Sequence, residues 1–183
     1  EALVPLLDSN AETAVKLAET GLEQFMPTFQ EAFYEGMRQK LGLPDQTDAT
    51  VSFADRTLEL LHQHAVDMTV FFAALTQVAD GETDAAILDL FDNTPDARQW
   101  VADWQAARSP DAAPGMRQTN PALIARNHRV DEALRAATEQ NDLAPTLRLV
   151  AALQQPFECS SEHRDLQTPP QPDERITQTF CGT

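Results

Sequence analysis

The sequence predicts an all-α fold, an irregular helical bundle over residues 1–155 followed by an extended, proline-rich tail over 156–183. Three observations carry that prediction. Apolar residues recur in steps of three and four through most of the chain, and capping residues or proline–acid starts precede those runs. No sustained period-two run of β-branched residues marks a strand.

Asp8-Ser9-Asn10 supplies side-chain oxygens for a first helix, whose apolar stripe is Ala14, Ala18, Leu22, Met26, Phe29, Phe33, Met37 and Leu41. Glu12, Lys16, Glu23 and Lys40 fall on its wet side. Pro27 lacks a donor and its ring clashes with the carbonyl four residues back, so it is expected to kink or divide the segment. Gly42 and Pro44 end it. Ser52-Phe53-Ala54-Asp55 has the form of a capping box opening a helix through Leu58, Leu61 and Ala65. Asp67 then leads Val70, Phe71, Phe72, Leu75 and Val78 up to Asp80-Gly81. Thr83 is placed to cap a short helix with Ile87, Leu88 and Phe91. Thr94-Pro95-Asp96 gives a cap, a proline at the first helical position and an acid at the positive helix end. Trp100, Val101 and Trp104 follow on that helix.

Ser109 to Gly115 reads as a turn-rich linker. Two more helices follow Asn120-Pro121, one with Val130, Leu134 and Ala137, the other with Leu147, Val150, Ala151 and Leu153. From Pro156 onward, Pro169-Pro170-Gln171-Pro172 and scattered Phe157, Leu166, Ile176 and Phe180 describe a tail held by isolated apolar anchors.

Composition narrows the function classes. The 183 residues include 13 basic and 29 acidic side chains, a formal net charge of -16, which repels phosphate backbones and anionic headgroups. Unaided nucleic-acid or membrane-surface binding is therefore not expected. No apolar run approaches the ~18 residues of a spanning helix. Two cysteines do not make a disulfide framework, so a reducing cytoplasm is the expected setting. The chain opens on Glu1-Ala2-Leu3-Val4 without an initiator methionine, a basic leader or a cleavage site, and is expected to be one part of a longer protein.

Motifs for independent chemistry are sparse. His62 and His64 stand two apart, and on a helix such side chains point about 200° apart, so they do not share a metal; solvent-facing histidines are expected. Asp80-Gly81-Glu82-Thr83-Asp84 lacks the alternating ligands and terminal Glu of a calcium loop. Trp100/Trp104 and Phe29/Phe33 stand four apart and read as core. Neither a glycine-rich phosphate loop nor a Gly-x-Ser-x-Gly elbow is present. Arg126-Asn127-His128-Arg129 is the densest polar cluster; Asn127 is expected to cap the following helix, and a buried Arg126 would bond carbonyls or a carboxylate. Cys181, third from the end, is accessible to oxidation or disulfide exchange, or is an inert thiol.

The motifs nevertheless form an ordered series. Tyr34-Glu35-Gly36-Met37-Arg38-Gln39-Lys40-Leu41-Gly42-Leu43 precedes Asp67-Met68-Thr69-Val70-Phe71-Phe72-Ala73-Ala74-Leu75. Met116-Arg117, Asn120-Pro121, Ile124-Ala125-Arg126-Asn127-His128, Asp142-Leu143, Pro156-Phe157-x-Cys159, Pro169-Pro170 and Thr179-Phe180-Cys181-Gly182-Thr183 complete it. Together they resemble the C-terminal part of the selenoprotein O (YdiU) family over nearly the whole chain. The resemblance implies a protein adenylyltransferase with a kinase-like fold, transferring AMP from ATP to protein hydroxyls with magnesium. It implies that the nucleotide, metal and base residues all lie upstream of Glu1, so no catalytic, nucleotide-binding or metal-binding residue is assigned here. This stretch would supply helices of the large lobe, partnered by the upstream kinase-like portion and serving protein substrates.

One position carries over. Some family members have selenocysteine third from the end, where Cys181 stands, and the resemblance implies redox control by pairing with a cysteine in the kinase-like part. Cys159 is an internal alternative. Gly182-Thr183 departs from the Ser-Ser ending familiar in the family. Two rival readings stand beside this one. An autonomous acidic module would bind a basic partner; a small redox protein would use Cys159 and Cys181, without the Cys-x-x-Cys arrangement that lowers a thiol pKa.

Overall fold

The computed structural model describes residues 2–158 and 161–176, and among them every regular element is helical, as the sequence predicts. Helix α1 (Ala11–Leu41) is followed by α2 (Asp48–Gln63), α3 (Met68–Ala79), the short α4 (Ala85–Leu88), α5 (Pro95–Ala107), α6 (Ala113–Thr119), α7 (Asn127–Gln140) and α8 (Ala144–Leu153). Single 3-10 segments lie at Val4–Leu6, Asp89–Phe91, Ser161–Gln167 and Pro172–Glu174.

Local chemistry explains most boundaries. Asn10 accepts from the Thr13 amide at 3.1 Å to start α1, and Asp67 accepts from the Val70 amide at 2.9 Å to start α3. Thr94 stands at the cap position of α5 and Pro95 in its first turn as expected, although the Thr94 side chain makes no capping bond. Four expectations are corrected. Helix α2 opens five residues earlier than the Ser52 box, because Thr47 accepts from the Thr50 amide at 3.3 Å and Ser52 is left as an exposed helical residue. The Ser109–Gly115 linker is partly helical, since Pro114 sits in the first turn of α6, where its missing donor costs nothing. Asn127 is the first residue of α7 rather than its cap; Arg126 holds the cap position with an extended backbone. Helix α1 is not divided by Pro27, whose surroundings are exposed, so the carbonyl it leaves unpaired is open to water.

The main core gathers Met37 and Leu41 of α1, Phe53, Leu60 and Leu61 of α2, Phe71, Phe72 and Leu75 of α3, Ile87, Phe91, and Trp100 and Trp104 of α5. Phe71 meets its aromatic neighbours edge-on, 5.3 Å from Trp100 and 5.9 Å from Phe91 between ring centroids, while Trp100 and Trp104 stack at 6.2 Å. Trp100 donates its indole N–H to the Thr57 hydroxyl at 3.1 Å, which itself donates to the Phe53 carbonyl at 2.8 Å, so that buried polar chain is satisfied. A smaller core joins Leu123, Leu149 and Ala152 to Leu166 of the 161–167 segment. Arg148 of α8 ties that segment down, donating to the Asp165 carboxylate and, at 2.6 Å, to the Glu162 carbonyl.

The C-terminal end of α1 is fastened by three long-range donors. The Lys40 carbonyl accepts from Asn120 Nδ2 at 2.8 Å, the Leu41 carbonyl from Trp104 Nε1 at 2.9 Å, and the Gly42 carbonyl from the Ser109 amide at 2.9 Å. The rest of α1 departs from expectation. Ala14, Met37 and Leu41 are its buried residues, while Leu22 and Met26 of the apolar stripe, and Phe29 and Phe33, read above as core, lie exposed. Among the described residues no helix is long and apolar enough to cross a membrane.

Candidate functional site

The polar residues of the motif series are brought together at the joints between helices. Arg126, 6% exposed, sends two parallel N–H donors to Asp67, Nη1 to Oδ2 at 2.8 Å and Nη2 to Oδ1 at 2.9 Å. Asp67 thus does two jobs, capping α3 and neutralising the cation that precedes α7 across 59 positions of sequence. Burial pushes the Asp67 carboxyl upward, but the Arg126 guanidinium and the Val70 and Thr69 amides outweigh it and hold it below the usual carboxylate value. The cleft beside this pair, about 580 Å³, is lined by Asp67 and Glu174 against Arg126 and Arg175, along with His128, Pro169 and Pro170. Two acids oppose two bases there, so the cleft carries no surplus of positive charge.

A second joint lies where α1, α3 and α6 meet. Asn120 is buried, and its Nδ2 donates both to the Lys40 carbonyl and to the Thr76 hydroxyl, at 2.8 and 2.9 Å. Lys40 Nζ donates to the Thr119 carbonyl at 3.2 Å and sits 5.2 Å from the centre of the Phe72 ring. Burial lowers the Lys40 pKa. Arg117, next to the fully buried Met116, pairs with Asp80.

The third joint is the end of α1. Arg38 binds both oxygens of Glu35 and donates to the Leu43 carbonyl at 2.7 Å. Gly42 has φ +66°, and a Cβ there would stand 2.6 Å from both the Ala112 Cβ and the Met116 Sδ, so the position needs glycine for conformation and for space. Tyr34 donates its hydroxyl to Asp55 of α2 at 3.0 Å.

These arrangements hold helices together, and their chemistry is that of structural clamps. A magnesium–nucleotide would need cations free to meet phosphate oxygens, and Arg126, Arg38 and Lys40 are each committed to a carboxylate or to carbonyls. Among the described residues no group of three histidine, cysteine or acidic side chains could hold a metal. These residues do not fit ATP and magnesium. His62 is exposed as expected; His64 is not simply solvent-facing, for its Nε2 lies 2.9 Å from Asp96 Oδ2 and its ring meets Phe91 edge-on. Cys181, the residue singled out for redox control, lies outside the described residues, as does Cys159.

Sequence reasoning missed the Asp67 and Asn120 clamps. Arg126 was legible as a buried cation seeking a carboxylate, but nothing local points to Asp67 as the partner.

Comparison with known proteins assigns the chain to a family. The family model described as "Protein adenylyltransferase SelO" matches residues 3–154. The chain is 36% identical over 189 residues to the protein nucleotidyltransferase YdiU of Bradyrhizobium sp. (strain ORS 278), covering all of this chain and 38% of that protein. It is 37% identical over 197 residues to the protein of that name from Shewanella denitrificans, covering all of this chain and 39% of the relative. The one from Cereibacter sphaeroides (strain ATCC 17029 / ATH 2.4.9) is 41% identical over 186 residues, again with all of this chain and 38% of the relative covered. The chain therefore spans about two fifths of the length of these relatives, and it belongs to the SelO family of protein nucleotidyltransferases.

Proposed function

We propose that this chain is the non-catalytic helical portion of a protein adenylyltransferase that moves AMP from ATP to serine, threonine or tyrosine hydroxyls of other proteins. On this reading ATP and magnesium are held by a kinase-like portion ahead of Glu1, and these helices brace its large lobe. The observation that carries this reading is the commitment of the motif residues to one another: Asp67 to Arg126, Asn120 to Lys40 and Thr76, Gly42 to the wall formed by Ala112 and Met116. Residues that a nucleotide could have claimed are used to join helices. Cys181 acts as a redox gate: it and a second cysteine thiol give up two protons and two electrons to an oxidising disulfide, forming an S–S bond between them as the oxidant's S–S bond opens to two thiols.

The test is AMP transfer with labelled ATP, magnesium and a generic protein acceptor. The full-length polypeptide is expected to label the acceptor, and residues 1–183 alone are not. Robust labelling by the 183-residue chain alone defeats the proposal. Cys181→Ser in the full-length polypeptide should leave transfer under reducing conditions unchanged and abolish its response to oxidant.

A further inference from the structure

Residues 19–33 of α1 are exposed without exception. That is about 22 Å of helix at ~1.5 Å per residue, all of it open to solvent among the described residues. A polar helix could stand so; this one carries Leu22, Phe25, Met26, Phe29 and Phe33, at exposures from 38% for Phe33 to 73% for Leu22. Steps of three and four gather the five onto one face at 100° per residue. Phe25, Phe29 and Phe33 form a continuous row of stacked rings, with centroids 6.0 and 5.9 Å apart. Isolated helices of this length are marginal in water, and single-chain proteins seldom leave so continuous an apolar strip uncovered.

Two facts select what covers it. The same angular spacing puts Glu19 and Glu23 along one border of the strip, and the whole chain carries a formal charge of -16. A second copy packed antiparallel would bring like charges together at this border, and two copies would in any orientation each carry a strongly negative net charge, whereas a partner with a basic rim would complement it. The chain also accounts for only 38% of the length of a family member such as the Bradyrhizobium relative, so most of such a polypeptide is left to supply the cover.

We infer that the apolar face of α1 between Glu19 and Phe33 is the seat on which the nucleotidyltransferase portion of the same polypeptide docks, with cations of that portion beside Glu19 and Glu23. The inference rests on the proposed division of the protein into a chemical and a bracing portion, though not on which group is transferred. Phe29 would lie at the middle of the seam and Leu22 and Phe33 toward its ends.

Amide hydrogen exchange of the full-length polypeptide and of residues 1–183 tests this. In the full-length polypeptide, amides of residues 19–33 are expected to exchange at least about 100-fold more slowly than in the 183-residue chain. Phe29→Asp in the full-length polypeptide should return them to fast exchange while α3 and α5 keep their protection. Fast exchange in both unaltered proteins overturns the inference without any need for the variant. So does slow exchange in the 183-residue chain accompanied by a concentration-dependent sedimentation mass, which would make a second copy the occupant. AMP transfer measured on the same samples separates the two proposals. Transfer without protection sinks the docking alone, and protection without transfer sinks the adenylyltransferase reading alone.

Discussion

Replacing Arg126 by methionine removes a guanidinium that is 6% exposed and leaves Asp67 with its backbone donors but no counter-charge. Taking one partner from a buried ion pair costs about 3–5 kcal/mol, because the other charge stays behind. The Asp67 side chain keeps 27% exposure against 5% for Arg126, so water can relieve the stranded carboxylate, and we expect about 3 kcal/mol. Asp67→Asn is the converse. It retains an oxygen to cap α3 but strands a nearly inaccessible cation, and about 4 kcal/mol is expected. At ~2–4 °C per kcal/mol for a chain of this size, the two variants should melt roughly 6–16 °C below the parent. Urea denaturation followed by circular dichroism gives the free energies, and an unchanged denaturant slope shows that the same surface is being exposed. The double variant should be less unstable than the sum of the singles by about 2 kcal/mol or more, since each removes what the other leaves stranded. Single costs below about 1 kcal/mol that add within ~0.5 kcal/mol would refute the view that this pair joins α3 to α7.

Gly42→Ala should cost roughly 2–5 kcal/mol by the same assay, combining a left-handed backbone with the overlap against Ala112 and Met116; a cost under about 1 kcal/mol would show that the contact is loose. Acid should weaken the fold through Glu35, Asp96 and Asp165. Their carboxyls are held at about 2 by Arg38, by Thr94 and His64, and by Arg148 respectively. A depressed folded pKa contributes stability that is complete above the unfolded value near ~4 and is lost as the pH falls from there toward 2. All three groups are largely open to solvent, so the effect should shrink in salt, and Arg148→Gln should move the acid midpoint upward; an unmoved midpoint counts against the Asp165 pairing.

The elements most legible in the sequence are those whose signals are local. Asp67 before Val70 and Phe71 describes both the cap and the buried face of α3, and Thr94-Pro95-Asp96 describes the start of α5. Helical periodicity also located α1, but periodicity reports which residues share a face and not what lies opposite; Phe29 and Leu41 look alike in the sequence, yet one is exposed and the other fully buried. Competing caps explain two errors. Ser52 and Asn127 have capping side chains, but Thr47 and Arg126 reach the required extended backbone first. The clamps were the least legible part of the site, since the Asn120–Lys40 bond spans 80 positions and the Arg126–Asp67 bond 59. Family resemblance gathered those residues into one series without saying that they touch.

The three donors at the end of α1 have a mechanical consequence. A helix of 31 residues is a rod about 46 Å long at ~1.5 Å per residue, and a tilt of about 10° at its root would carry the far tip through roughly 8 Å. Gripping three successive carbonyls from α5, from the turn at Ser109 and from Asn120 sets the bearing of that rod in two directions at once. Whatever rests on the shaft inherits its aim from hydrogen bonds made at the hub.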